Sequence, residues 1–329
     1  MSRAGGSPGA EGALPARTLW GDTWRRFRRH RLALNGALIL LLLVASVVAG
    51  TFLYPFYLVR QLADSGIPVT ESSPTLTTLV DHLDYVGILS PPSKVHPLGA
   101  DDLGRDLLAR AIYGGRVSLT VGLVAMLIAT SLGAFIGALS GYFGGLLDNI
   151  LMRITDLFLS LPGVPLILLI VYLFRESVIQ ALGSPEVAIF VILVSLIGGL
   201  SWMETARIVR AAFLSLREKE FVEAALALGA DASAVMFRHI FPNALGPIIV
   251  AATLGVGNAI ITESVLSFLG VGFPPDTPTW GRLVTDGSQY LQVAPWLALV
   301  PGTLIFLTVL SINFLGDGLR DALEAQQAA

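Results

Sequence analysis

Six stretches of the chain contain no Asp, Glu, Lys or Arg: residues 32–59, 117–147, 157–174, 187–203, 240–262 and 287–316. A helix crosses the hydrocarbon core of a bilayer with about 20 apolar residues, the usual range being about 17–25. Each of the six runs reaches that range. A soluble domain can bury one such helix, but six in one chain define a membrane architecture. The pattern predicts an all-α integral membrane protein with six transmembrane helices.

The polar segments between the runs carry their own periodicities. The long loop of residues 60–116 ends in "HPLGADDLGRDLLARAIYGGRVSL", where a Pro-Gly break gives way to a helical pattern. Leu103, Leu107, Leu108 and Ala111 fall on one face and Arg105, Asp106 and Arg110 on others. That arrangement predicts an amphipathic helix over 96–116, lying at the membrane interface and leading into the second span. "GYFGGLLDNILMRITD" (141–156) reads as a short turn between spans two and three. The Pro- and Gly-rich segment between spans five and six holds Trp280 and Tyr290, residue types that anchor at the membrane surface.

Residues 204–239 form the most highly charged of these connections. Val209, Ala212, Phe213 and Leu216 make an apolar stripe, and helical spacing continues through Phe221, Val222, Ala225 and Leu228. Gly229 then falls where a helix ends in the left-handed conformation, which glycine enters without strain. Asp231 is placed to cap a second helix, and Pro242 to stop it before the fifth span. Glu223 beside the small Ala224 and Ala225 marks a helix surface that another protein could approach closely. Phe213, Met236 and Phe237 read as exposed apolar positions on this hairpin, which suits a docking element.

Composition agrees with the pattern: 54% of the 329 residues are hydrophobic, 14% are charged, and the mean hydropathy is +0.73. Soluble domains average about 25% charged residues. The first run follows Trp24-Arg25-Arg26-Phe27-Arg28-Arg29-His30-Arg31, but at 28 residues it exceeds the apolar region of a cleaved signal, about 7–15 residues. A retained helix with its basic flank in the cytosol is expected. On that topology 14 Lys and Arg lie on the cytosolic side and 7 on the other, with both termini cytosolic. Residues 1–17, rich in Gly, Ala and Pro, are expected to be disordered. No solenoid-type repeat is present.

Few chemistries remain open. Without cysteine there is neither a disulfide framework nor a thiolate site. His96, Asp101, Asp102 and Asp106 cluster near a helix start, where carboxylates cap helices, and their spacing matches no zinc or calcium pattern. No metal site is expected. An intramembrane hydrolase would need HExxH or a membrane-depth base, but all four histidines (30, 82, 96, 239) lie outside the apolar runs. An ion-coupled secondary transporter would carry several ionisable groups at depth, whereas only Glu263 falls inside an apolar stretch. The phosphate-cradling GxxxxGK[ST] loop is absent, so ATP would have to be handled elsewhere.

The motifs resemble one family closely. Glu223-Ala224-Ala225, Gly229 and Pro242 match the EAA loop of permease subunits of bacterial ABC importers. Phe241 and His239 replace two apolar residues of that pattern while its spacing is kept. "HPLGADDLGRD" (96–106), "GYFGGLLDNILMRITD" (141–156), "SFLGVGFPPDTPTWG" (267–281) and "GDGLRDAL" (316–323) resemble the dipeptide and oligopeptide permeases, specifically the C-type subunit. Ala100 stands where that family usually has Thr. The similarity covers residues from about 20 to 325 and keeps the motif order.

The resemblance implies a type I importer in the bacterial cytoplasmic membrane, a non-catalytic subunit that imports di- or oligopeptides. Its implied partners are a second homologous permease, two cytosolic ABC ATPases that bind the ATP and Mg, and an external solute-binding protein; no nucleic acid is involved. It implies that Glu223, Ala224, Ala225, Gly229, Asp231 and Pro242 couple the permease to an ATPase. Relatives moving nickel chelates or other small solutes leave the cargo open. The implied organisation is a basic tail (1–31), a first span with external loop (32–115), a five-helix transport domain (116–317) containing the coupling loop (204–243), and a tail (318–329). Asn258, Thr262, Glu263, Ser264 and Ser267 give the fifth span the densest polar set, so Asn258 and Glu263 are expected on the pore or a subunit interface. Helix-to-helix hydrogen bonding is an equal expectation for the serines.

Overall fold

A computed structural model of the chain describes residues 25, 27–64, 75–81, 83–84 and 87–327. Residues 1–17, most of the basic tail and His82 lie outside the described residues. Six helical segments are long and apolar enough to cross a membrane: Arg31–Asp64, Leu107–Phe143, Gly163–Leu182, Pro185–Arg217, Ala232–Phe268 and Trp296–Leu323. Among the described residues there is no strand, only an isolated bridge between Ala100 and Asp106.

The elements are α1 (Arg31–Asp64), a single turn α2 (Leu76–Leu79), α3 (Leu107–Phe143), α4 (Gly145–Leu159), α5 (Gly163–Leu182), α6 (Pro185–Gly199), α7 (Trp202–Arg217), α8 (Glu220–Ala227), α9 (Ala232–Ala234), α10 (Phe241–Phe268), α11 (Trp280–Ser288) and α12 (Trp296–Gln327). A π-helical turn, Val235–Ile240, joins α9 to α10. The central element is α3, which packs against α1, α4, α6, α7, α10 and α11. Its contact with α7 is closest because Gly133, Gly137 and Gly141 present no side chain. A Cβ at these positions would meet Thr205, Val209 and Phe213 Cβ at 2.6, 2.8 and 2.6 Å. Small residues spaced by four bring membrane helices together where no hydrophobic drive favours helix over lipid.

Burial divides the apolar residues that sequence treats alike. Val121, Ala125, Ile189, Leu193 and Leu266 form a core between α3, α6 and α10. Leu41, Phe52, Phe56 and Tyr172 are among the large side chains left on the outside of the bundle.

Several expectations are corrected here. The segment 96–106 is an irregular loop, and 107–116 are the first turns of α3 itself, so no separate interfacial helix exists. Asp106 caps α3 by accepting from the Ala109 N–H at 2.7 Å, and Leu107 and Ala111 are buried in protein. The 141–156 segment is not a short turn but the end of α3 and most of the 15-residue α4. Trp280 is not a surface anchor: it is fully buried and its Nε1 donates to the Ala111 carbonyl at 2.9 Å. Residues 318–327 of the expected C-terminal tail are helical, a continuation of α12.

Candidate functional site

The charged connection is not a loop hung between spans but a prolongation of two of them. α6 and α7 form one membrane-length segment interrupted only at Leu200–Ser201, and α9, the π turn and α10 form another. Between them project α8 and the turn of residues 228–231. Gly229 has φ +85° and ends α8 in a Schellman motif: its N–H donates to the Leu226 carbonyl at 2.9 Å, and the Ala230 N–H to the Ala225 carbonyl at 3.0 Å. Asp231 caps the next helix, accepting from the Ala234 N–H at 3.3 Å and the Ser233 hydroxyl at 2.6 Å. The Ser233 bond, ahead of the Ala234 N–H, holds the Asp231 carboxyl below the usual carboxylate range.

Pro242 does not stop the helix. The π turn shifts the ladder to i→i−5, with the Phe241 N–H donating to Met236 O, so the register opens where Pro242 has no N–H to give. Asn243 Nδ2 donates to the His239 carbonyl at 2.7 Å.

The stem of the hairpin is packed and its tip is bare. Phe213, Val222, Val235 and Ile240 form a buried cluster with Ala134 and Ala138 of α3 and Ala244 of α10. Phe213 and Met236, expected on the surface, belong to this core; Phe237 is exposed. Glu223 and Ala224 are exposed, while Ala225 turns inward and is buried, which withdraws one of the two alanines from the outer face. At the tip Leu228 is 89% exposed and nothing approaches the Gly229 Cβ position within 4 Å.

Charges hold the stem to α4. Arg210 grips Asp148 with both ends of its guanidinium, Nε to Oδ1 at 2.5 Å and the second nitrogen to Oδ2 at 2.6 Å. The Arg210 bonds, helped by the Ser140 hydroxyl, hold Asp148 well below the usual carboxylate range against the effect of its burial. Arg207 pairs with Asp156, and Arg217 donates to the Tyr142 carbonyl at 2.8 Å. A bidentate guanidinium–carboxylate pair fixes orientation as well as distance.

The structure separates the two acid and amide candidates of the fifth span. Glu263 is wholly buried and accepts from Ser118 of α3 at 3.2 Å and Ser267 at 2.8 Å, so it cross-links helices inside the chain and does not reach its surface. Thr262 and Ser264 donate to carbonyls of their own helix, Asn258 O and Ile260 O. Asn258 is exposed and lines a cavity of about 310 Å³ between α3, the α6–α7 break and α10. Glu204, Ser201 and Thr205 line the same cavity. Sequence reading counted Glu204 as the first charge of a loop; a signal lay in Gly198-Gly199 and Ser201, which break the apolar run just before it.

At the opposite end, the 84–106 loop is cross-linked by buried charge. His96 Nδ1 lies 2.9 Å from Asp106 and Nε2 3.4 Å from Asp84, and the Tyr54 hydroxyl donates to Asp106 at 2.9 Å. Burial works against the charged imidazole, but the Asp106 and then Asp84 carboxylates outweigh it, and the His96 pKa is raised. Arg105 Nε donates to Asp101 at 2.7 Å, and Tyr290 to Asp102 at 3.1 Å. The acids of this loop therefore serve caps and pairs.

Residues 133–328 match the family described as binding-protein-dependent transport system inner membrane component, and residues 18–65 match the N-terminal TM domain of oligopeptide transport permease C. The chain is 40% identical to the oligopeptide transport system permease protein OppC of Escherichia coli (strain K12) over 94% of its length and 92% of the relative's. It is 37% identical to the OppC of Haemophilus influenzae, over 94% and 90%. It is also 37% identical to the glutathione transport system permease protein GsiD of Shigella flexneri serotype 5b, over 94% and 91%. With six membrane-length helical segments, α3 among them, and a projecting helical hairpin, the chain belongs to the inner membrane permease components of binding-protein-dependent ABC transport systems.

Proposed function

We propose that this chain is one permease of an ATP-driven importer for di- and oligopeptides and that the hairpin around Gly229 couples it to an ATPase. In that reading a second homologous permease completes the pore, two cytosolic ATPases supply the free energy of ATP, and an external binding protein delivers cargo. Both termini and the hairpin then face the cytosol. The chain itself is non-catalytic. Oligopeptide and glutathione permeases among its relatives support the cargo class, since glutathione is itself a tripeptide.

The observation that carries the coupling role is the contrast between a stem packed into three helices and a tip packed against nothing. An exposed leucine and phenylalanine at the end of a rigid arm are stable in water only at a cost that a partner groove removes. Force on the tip passes through Phe213, Val222 and Ile240 into α3, α7 and α10, and the Arg210–Asp148 grip moves α4 with it. Glu223 offers its exposed carboxylate to a basic group on the ATPase.

The test is reconstitution of Gly229→Val and Glu223→Ala with the partner subunits, measuring ATP hydrolysis and peptide uptake together. A β-branched residue at φ +85° is strained by about 1–2 kcal/mol or more. Gly229→Val should insert normally, hydrolyse ATP and fail to link hydrolysis to uptake; Glu223→Ala should have a milder defect. Wild-type coupling in Gly229→Val would reduce the hairpin to a surface turn.

A further inference from the structure

Glu204 is an acid that neither the stem clamp nor the core employs. It sits within the membrane-length segment Pro185–Arg217, yet its side chain is exposed. The three arginines that follow it on α7 are committed elsewhere, Arg207 to Asp156, Arg210 to Asp148 and Arg217 to the Tyr142 carbonyl. Among the described residues Glu204 has no hydrogen bond or ion pair. No lysine or arginine lines its cavity, whose polar groups are Ser201, Glu204, Thr205 and Asn258. The cavity also reaches Met126, which is halfway along the 37-residue α3 and so deep in the bundle.

Two features mark the cavity as a water-filled path rather than a surface for lipid. An ionisable side chain in a membrane-crossing helix faces protein or a water-filled path. The backbone is also irregular there: α6 ends at Gly199 and α7 begins at Trp202, so the helix breaks at the cavity wall. Broken helices at membrane depth occur where they line such a cavity. An unpaired carboxylate beside a primary amide, with no cation in the wall, selects a cation that can also donate hydrogen bonds.

We propose that this cavity is a cargo subsite in which Glu204 holds the α-ammonium group of the peptide, with the Asn258 side-chain carbonyl as a second acceptor. Resting on the peptide reading above, this assigns part of the translocation path to named residues. Oligopeptides and glutathione differ in length and linkage but share a free ammonium group. A site reading that group and no side chain accepts them all. Because α7 and α10 bear Glu204 and Asn258 and also frame the coupling hairpin, motion of the tip acts directly on this subsite.

The absence of cysteine from the chain gives a direct test. In the assembled importer with cysteine-free partners, Glu204→Gln should lower uptake of a free-amine tripeptide about tenfold, the loss expected for one charge-assisted bond. Glu204→Cys is labelled after assembly, so its folding is already established. A sulfonatoethyl thiol reagent, which restores a negative charge, should recover uptake, and a trimethylammonium reagent should not. Bound tripeptide should slow the labelling. Three results overturn the proposal while leaving the peptide importer intact: uptake by Glu204→Gln within about twofold of wild type, equal effects of the two reagents, or no labelling of the Glu204→Cys variant. A wild-type complex that hydrolyses ATP but takes up no free-amine peptide overturns the peptide reading itself.

Discussion

The two ends of the molecule solve opposite problems. At the end formed by the 84–106 loop, α1, α3 and α11, most of the buried charge is answered within the chain: His96 by Asp84 and Asp106, Arg105 by Asp101, Tyr290 by Asp102, while Arg110 lies 3.6 Å from Asp101 without a hydrogen bond. Trp280 is wholly enclosed there. At the hairpin end, ion pairs stop at the stem, and beyond it Leu226, Leu228 and Phe237 are exposed. The first end is finished by folding. On the coupling reading proposed above, a partner finishes the second, which would account for the exposed apolar groups there.

The largest expected effect lies at the closed end. Asp106→Ala removes the cap of α3, the acceptor for Tyr54 and the main partner of His96 in one step, leaving the buried imidazole only its longer contact with Asp84. A loss of about 3–5 kcal/mol is expected, the range for breaking a buried pair from one side. Denaturant or thermal unfolding in detergent checks it, and a variant as stable as wild type would mean that this end is not held by its charges.

The next effect concerns the helix crossing that carries the stem. Gly137→Leu forces a side chain where a Cβ alone meets Val209 Cβ at 2.8 Å. Overpacking of this kind costs about 1–3 kcal/mol. The midpoint of unfolding should fall, and a disulfide pair placed across α3 and α7 should form more slowly.

A smaller effect follows from pH. The folded His96 pKa is raised, so its protonated pairing adds stability that is complete below the unfolded value near 6.5 and is lost as pH rises from there through the folded value. The melting temperature should decline above about pH 6.5, and His96→Gln should flatten that dependence. A steeper fall on the acid side instead would reverse the assignment.

The smallest effect on stability belongs to the tip. Leu228→Ser removes a side chain that is 89% exposed, so unfolding should shift by less than about 0.5 kcal/mol. Affinity for the partner ATPase, measured by titration in detergent, should nevertheless drop. A loss of stability with no loss of affinity would erase the contrast between the two ends.

The hairpin was the most legible part of the site. Gly229 and Asp231 act through bonds to residues within five positions, so local spacing carries their roles. Pro242 was misread because a π turn, set by how α9 meets α10, admits a proline that an α-helix would not. Glu263 and Asn258 looked equivalent in sequence, five residues apart in one span. Only the approach of Ser118, 145 positions earlier in the chain, takes Glu263 into the bundle, and only the break at Leu200–Ser201 opens a cavity beside Asn258. Phe213 and Met236 read as exposed for the same reason: their covering residues come from α3 and α10.

Sequence alone determined the number of membrane helices, because run length against bilayer thickness is a one-dimensional comparison. It also determined the family and the turn at Gly229, since both rest on residue type at short spacing. Tertiary structure alone decided which apolar residues meet lipid and which meet protein, because hydropathy assigns both the same value. It alone paired Arg210 with Asp148 across 62 positions, buried Glu263, and left Glu204 without a partner. Those outcomes depend on which helices abut, as at the crossing where three glycines without side chains let α3 and α7 close on each other.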